Sequence, residues 1–202
     1  SLEKLLIDGN QNVKSKEEIS DETIEKTTEG LQLITRRGEG LIDFVNNYKS
    51  IASLKQMDFE TIKLAELFYN LELLMKKELE EKDLNLSIEL YPFDIEVRAD
   101  KKYLEQICIN LIKNSIEASN KSGQIKLIGR KEKNHRTYIE ITDNGKGIEQ
   151  ELINQIFVPF FTTKENGSGI GLSLARQIMQ LHGGSISVES EPNKLTSFKL
   201  KF

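Results

Sequence analysis

Hydrophobic and polar positions divide the chain into elements of two periods. After Ser20-Asp21, a helix-capping pair, Ile24, Thr27, Leu31, Ile34, Gly38, Leu41, Val45, Tyr48 and Ala52 recur in alternating steps of three and four. This is the heptad seam of a long helix that packs on a partner. Gly30, Gly38 and Gly40 weaken it by about 1 kcal/mol each, so packing must hold it, in an antiparallel hairpin, in a dimer bundle, or against its own domain. Residues Ser1 to Ile7 read as the end of an earlier helix, followed by a polar loop to Ser20. Beyond a linker over residues 55–58, the period changes. Phe59 to Lys63 predicts a short strand. Leu64, Leu67, Phe68, Leu71, Leu74 and Met75 predict an amphipathic helix from Leu64 to Glu81.

Alternation then predicts strands at Asn85 to Tyr91 and Ile95 to Val97, with Pro92 turning between them. Asp100 caps a helix that runs to about Asn120 and is seated by Leu104, Ile107, Leu111 and Ile112. Gln124 to Lys131 and Thr137 to Thr142 predict a hairpin around Asn134-His135. A helix from about Gly171 to His182 stops at Gly183-Gly184, and Ile186 to Glu189 and Phe198 to Phe202 predict a last strand pair. Mixed helices and strands with frequent hairpins give an α+β fold with a mixed, mainly antiparallel sheet.

Composition narrows the function classes. The 202 residues carry a net charge of −4, with no basic patch of the kind nucleic acid requires. Cys108, the single cysteine, lies in an apolar run and reads as a small core residue. No apolar stretch is long enough to span a membrane, so no membrane contact is expected within this chain. The chain opens on Ser1 rather than Met, which fits a piece of a longer protein, with or without an anchor upstream.

Three stretches carry chemistry. Asp143-Asn144-Gly145-Lys146-Gly147 follows a strand, which puts a carboxylate where a glycine turn begins. An ionised carboxylate accepts hydrogen bonds and cannot donate them, which suits the exocyclic amine of adenine and rejects guanine; the alternative is an ordinary turn. Asn110 and Asn114 are four apart and share a helix face. They are either core-edge amides bonded to backbone or oxygen ligands for a magnesium ion that bridges phosphates. Lys113 beside them is either solvated or directed at a phosphate. Gly167, Gly169 and Gly171, in Gly167-Ser168-Gly169-Ile170-Gly171-Leu172-Ser173, open directly into a helix and offer an anion site. The pattern lacks the Gly-Lys-Ser/Thr ending of a Walker loop and the spacing of a dinucleotide fingerprint. Upstream, the aromatics of Phe157-Val158-Pro159-Phe160-Phe161-Thr162-Thr163-Lys164 read as packing that anchors this lid, with Lys164 either exposed or near the terminal phosphate.

Paired asparagines on a helix, Asp-x-Gly-x-Gly, Phe-x-Pro-Phe-Phe and Gly-x-Gly-x-Gly-Leu, in this order, resemble the N box, first glycine box, F box and second glycine box of sensor histidine kinases. The resemblance covers residues 59–202. It implies a two-layer α/β sandwich that binds ATP and Mg2+, with residues 57–202 as the catalytic ATP-binding domain. It assigns Asn114, with Asn110 nearby, to the metal, Asp143 to adenine, and Gly145 and Gly147 to the adenine turn. Thr163, Lys164, Gly167, Ser168, Gly169, Gly171 and Leu172 fall to the phosphate side. Residues 1–56 resemble the back part of the family's dimerisation and phosphotransfer hairpin. Here the pattern departs from the family's, because His135 and His182 are the only histidines and neither has the acceptor's context.

The expectation is therefore the catalytic portion of a histidine kinase that lacks its own acceptor and does not phosphorylate itself. In the intact protein the phosphoryl group would pass to a histidine and then to a response regulator receiver domain. The intact protein would be a homodimer through the hairpin, cytoplasmic, either free or as the cytoplasmic part of a membrane-anchored sensor. His182 is expected to be structural. One alternative is a docking module that uses ATP only as a conformational ligand. Another is a gyrase-type ATPase, against which Asn110 stands where those enzymes carry a catalytic glutamate.

Overall fold

The computed structural model describes residues 20–52, 57–132, 136–164 and 167–202. Helix α1 spans Asp21–Ala52. The Ser20 hydroxyl accepts from the Thr23 amide at 3.2 Å, which is the cap the sequence predicts. On its seam Ile24, Leu31 and Ile34 are 54%, 55% and 59% exposed, so among the described residues that face is uncovered. The predicted helix end at Ser1 to Ile7, the polar loop after it, residues 55 and 56 of the linker and the turn at Asn134-His135 lie outside the described residues.

The remaining elements are β1 (Phe59–Lys63), α2 (Leu64–Glu81), β2 (Asn85–Tyr91), β3 (Glu96–Asp100), α3 (Lys101–Ala118), β4 (Gln124–Lys131), β5 (Thr137–Asp143), α4 (Gly171–Leu181), β6 (Ser185–Glu191) and β7 (Leu195–Lys201). Strands β1 and β3 form an antiparallel ribbon. The other five form one sheet in the order β2-β4-β5-β7-β6. Helices α2, α3 and α4 pack on this sheet, as the α+β reading requires. Their apolar stripes, including Leu64, Leu67, Phe68, Leu104, Leu111 and Ile178, meet Ile125, Leu127, Ile139, Ile141 and Leu200 in one core. Cys108 is fully buried there, and the apolar surroundings push its thiol up to about 12.

Sequence periodicity missed several details. It did not say which strands pair: β2 runs parallel to β4, because helix α3 lies between them in the chain and a crossover allows the parallel pairing, and this pairing makes the sheet mixed, as expected. Strand β3 lies further along than the predicted Ile95 to Val97, since its pairing with β1 carries it to Asp100. Strands β6 and β7 are each longer at the start, pairing from Ser185↔Lys201 to Glu191↔Leu195. A 3-10 turn at Gln150–Leu152 has no periodicity that could announce it.

Asp100 ties the layers together. Its Oδ1 caps α3 by accepting from Tyr103 N at 3.2 Å, and its Oδ2 accepts from Asp58 N at 3.0 Å. Its own amide donates to His182 Nε2 at 2.9 Å, while His182 Nδ1 stands 2.8 Å from Ile178 O. An acceptor at Nε2 means the proton is on Nδ1, directed at that carbonyl. The end of α4 is thereby fixed to the start of α3, with Phe59 and Phe202 edge-on to the ring.

Candidate functional site

Strand β5 is central in its sheet and buried along most of its length. It therefore delivers Asp143 into an environment with little water; the residue is 3% exposed. Its Oδ1 accepts from Gly145 N at 3.0 Å and its Oδ2 accepts from Ser115 Oγ at 2.8 Å. Burial pushes the carboxyl above the usual aspartate range, and the Ser115 and Gly145 donors partly oppose the shift. Each oxygen keeps a free lone pair, so the group can accept a further donor. Ser115 is 1% exposed on α3. The sequence reading passed over it; its signal was its place next to Asn114, which turns it toward the strand on which Asp143 ends.

The two asparagines go to different partners. The Asn114 Oδ1 accepts from the Lys164 ammonium at 2.6 Å, and the same ammonium pairs with Glu117. Glu117, one turn beyond Asn114 on α3, is a second residue that sequence reading did not single out. The Asn110 amide lies against Gly171, where an added Cβ would stand 2.2 Å from Oδ1. Gly171 is therefore a close-approach glycine that seats the start of α4 on α3. The Asn110 Nδ2 is buried and has no hydrogen-bond partner among the described residues. A cleft of about 200 Å3 opens beside it, lined by Gln106, Asn110, Ser168, Ile170, Gly171 and Ala175.

The F box and the glycine lid are joined backbone to backbone. Phe160 N donates to Gly169 O at 2.9 Å. Phe160 has φ +67 and Gly169 φ +69, and a Cβ on Gly169 would lie 2.5 Å from Phe160 C. Phe157 packs on the core under the Arg176 guanidinium, an anchor of the expected kind, whereas Val158 and Phe160 are exposed. The Thr162 Oγ1 accepts from Lys164 N at 3.1 Å and sets the turn that presents the lysine.

The other predicted residues are dispersed. Lys113 pairs with Glu78 of α2 at 3.4 Å, apart from Asn114 and Lys164. Thr163 and Ser168 are exposed, and Leu172 packs against the core. Gly145 abuts the Ala118 carbonyl, and Gly147, at φ +72, abuts Glu191 and Pro192. These two glycines thus let the turn pack on protein as well as bend. Gly167 lies on the Thr162 hydroxyl.

The donor set fits the group that the sequence implies. Magnesium takes oxygen ligands, keeps several waters and is held by few protein groups alongside phosphates. Asn114 offers one oxygen that already faces a cation, and the lid offers the start of a helix.

Comparison with known proteins places the chain in a family. Residues 99–202 match the model of the histidine kinase-, DNA gyrase B- and HSP90-like ATPase family. Sporulation kinase A of Bacillus subtilis (strain 168) is 35% identical over 157 residues, which cover 78% of this chain and 24% of that protein. The chain thus spans about a quarter of that relative's length. The catalytic domain of histidine kinase ThkA superposes with a TM-score of 0.66 at 32% identity, covering 72% of this chain and 95% of that one. ThkA in complex with the response regulator TrrA superposes at 0.65 and 26% identity, over 95% of this chain and 54% of that one. From Ala99 to the end, where the N box, both glycine boxes and the F box lie, the chain belongs to the histidine kinase-, DNA gyrase B- and HSP90-like ATPase family, with the fold of histidine kinase catalytic domains.

Proposed function

We propose that this chain is the ATP-binding catalytic portion of a sensor histidine kinase. It would direct the γ-phosphoryl group of ATP to a histidine, from which it passes to an aspartate of a response regulator receiver domain. The observation that carries the reading is the convergence of Lys164 and Asn114 at the glycine lid, one strand end away from Asp143. Phosphoryl transfer asks a protein for positioning and charge neutralisation more than for covalent chemistry. In this reading Asp143 accepts from the adenine amine, and the amides at the start of α4 face the phosphates. Asn114 holds the metal through Oδ1, with Asn110 beside it. Bound magnesium supplies charge neutralisation at the phosphate oxygens. Lys164 adds a positive charge on the lid side.

A response regulator as partner is supported by the ThkA complex with TrrA, and a homodimer by the exposure of Ile24, Leu31 and Ile34, the described apolar residues of the α1 seam. Among the described residues no helix is long and apolar enough to cross a membrane. The proposal includes an absence: the chain binds ATP without labelling its own histidines. His182 follows the eleven residues of α4, about 16 Å from the lid along the helix axis, and both its ring nitrogens are engaged.

The experiment is incubation with radiolabelled ATP, with and without a separate helical hairpin that carries an acceptor histidine. Acid-labile, base-stable label on the hairpin alone is the expected result. ATP binding with no label on any hairpin would favour a docking module over a kinase, and label on His135 or His182 would overturn the missing acceptor.

A further inference from the structure

The Lys164 ammonium has two oxygen partners on one face of α3. Asn114 and Glu117 are three apart, so their side chains are neighbours. Both reach the same ammonium, Asn114 through Oδ1 at 2.6 Å and Glu117 through its carboxylate. Lys164 is brought there by the Thr162 hydroxyl, which holds its backbone amide. The side chains of Lys164 and Glu117 are 38% and 53% exposed. An ion pair this open is weak by itself; its interest lies in where it stands.

We propose that Glu117 is a positioning residue of the nucleotide site. With Asn114 it forms a seat for a single cation, which Lys164 fills before nucleotide is added and must leave when a metal–nucleotide complex enters. This rests on the reading of Asn114 as the metal ligand. Its physical basis is charge. A neutral amide oxygen beside one carboxylate satisfies one ammonium or one divalent cation with its waters, and two cations in the same seat repel each other. Lys164 released from the seat has its charge free for the phosphates. Until then it holds the F-box end of the lid down on α3. The apparent affinity for the metal is reduced by the fraction of molecules in which the lysine occupies the seat.

The test is calorimetric titration of ADP at a series of magnesium concentrations. ADP lacks the γ-phosphate toward which Lys164 is directed in the proposed reaction, so loss of the lysine does not remove that contact. Lys164→Met should lower the magnesium concentration that gives half of the metal's effect on ADP affinity, by about three- to tenfold if the lysine holds the seat most of the time. Adding Glu117→Gln to Lys164→Met should raise that concentration again. In the absence of nucleotide, amide hydrogen exchange over residues 161–164 should quicken in Lys164→Met, less in Glu117→Gln, where Asn114 still holds the ammonium, and no further in the double variant than in Lys164→Met. Both residues are partly exposed, so the variants are expected to fold, and thermal melting verifies it.

An unchanged magnesium half-point in Lys164→Met overturns the proposal, as does additive loosening of the lid. Asn114→Ala separates the two readings. If it abolishes the magnesium effect while Lys164→Met shifts nothing, Asn114 is the metal ligand and only the shared seat is wrong. If Asn114→Ala retains the full magnesium effect, the metal assignment itself has failed.

Discussion

The two ends of the proposed nucleotide site are built in opposite ways. At the base end, Asp143 is delivered by a central strand, buried, and held by two donors that belong to the fold, Ser115 and the Gly145 amide. At the phosphate end, Lys164, Asn114 and Glu117 meet through half-exposed side chains, and Gly171 seats the start of α4 against Asn110 of α3. Rearranging the base end means moving a sheet. Rearranging the phosphate end means breaking an open ion pair, worth about 0–1 kcal/mol. A rigid end can discriminate one base from another, because an unsatisfied buried group is expensive. A loose end can admit a metal–phosphate group, respond to it and release it.

The contrast can be broken most forcefully at Asp143. Asp143→Ala should weaken adenosine binding by about 1.5–3 kcal/mol, the scale of a hydrogen bond to a charged group, and erase discrimination between ATP and GTP, as read by calorimetry. At the other end, Asn114→Ala should remove the magnesium-dependent part of ATP affinity and leave adenosine binding unchanged. If both variants lost adenosine binding equally, the two ends would be one unit and the contrast would fall.

Ser115 sharpens the comparison at a smaller scale. Ser115→Ala removes a donor from Asp143 Oδ2 and should weaken adenosine binding by about 0.5–1.5 kcal/mol. It should also change the pH profile. Burial raises the Asp143 carboxyl above the usual range, and a bound amine favours the ionised form. Adenosine affinity is therefore full above the carboxyl's own pKa and is lost as pH falls through it. Without Ser115 that pKa rises further, so the loss should begin at a higher pH. For folding the sign is reversed: a carboxyl raised in the fold contributes stability below its ordinary pKa that is lost as pH rises through the folded value. A pH profile identical to that of the unsubstituted chain would remove Ser115 from the site.

The smallest effect is in the lid. Amide hydrogen exchange over residues 161–164 and 167–171 should slow when a nonhydrolysable ATP analogue is added, while residues 137–143 of β5 should change little. Equal slowing in both would contradict the division into a rigid end and a loose one.

How much of this was legible in the sequence follows the same division. The periodic elements were legible because burial fixes period: α2 and β2 emerged at the bounds read for them, although Leu74, read into the α2 stripe, is 58% exposed and Leu79 is buried instead. Asp143 and the lid glycines were legible because backbone turns demand particular residue types. The parallel pairing of β2 with β4 was not, since alternation reports which face a residue takes and not which neighbour it pairs with. Ser115 and Glu117 were not, because a serine or glutamate on a helix carries no pattern of its own; their roles come from Asp143 and Lys164, 28 and 47 residues away in the chain. The direction of Lys113 toward Glu78 was equally invisible, being a choice between two helices that only their packing makes.

The central claim is that this fold holds an adenine nucleotide through Asp143, with its phosphates at the lid. Calorimetric titration of the unsubstituted chain with ATP and then GTP, each with magnesium, tests it most directly. The account predicts magnesium-dependent binding of ATP, with GTP weaker by about tenfold or more, the equivalent of one charged hydrogen bond lost. Equal affinities for the two nucleotides would contradict it.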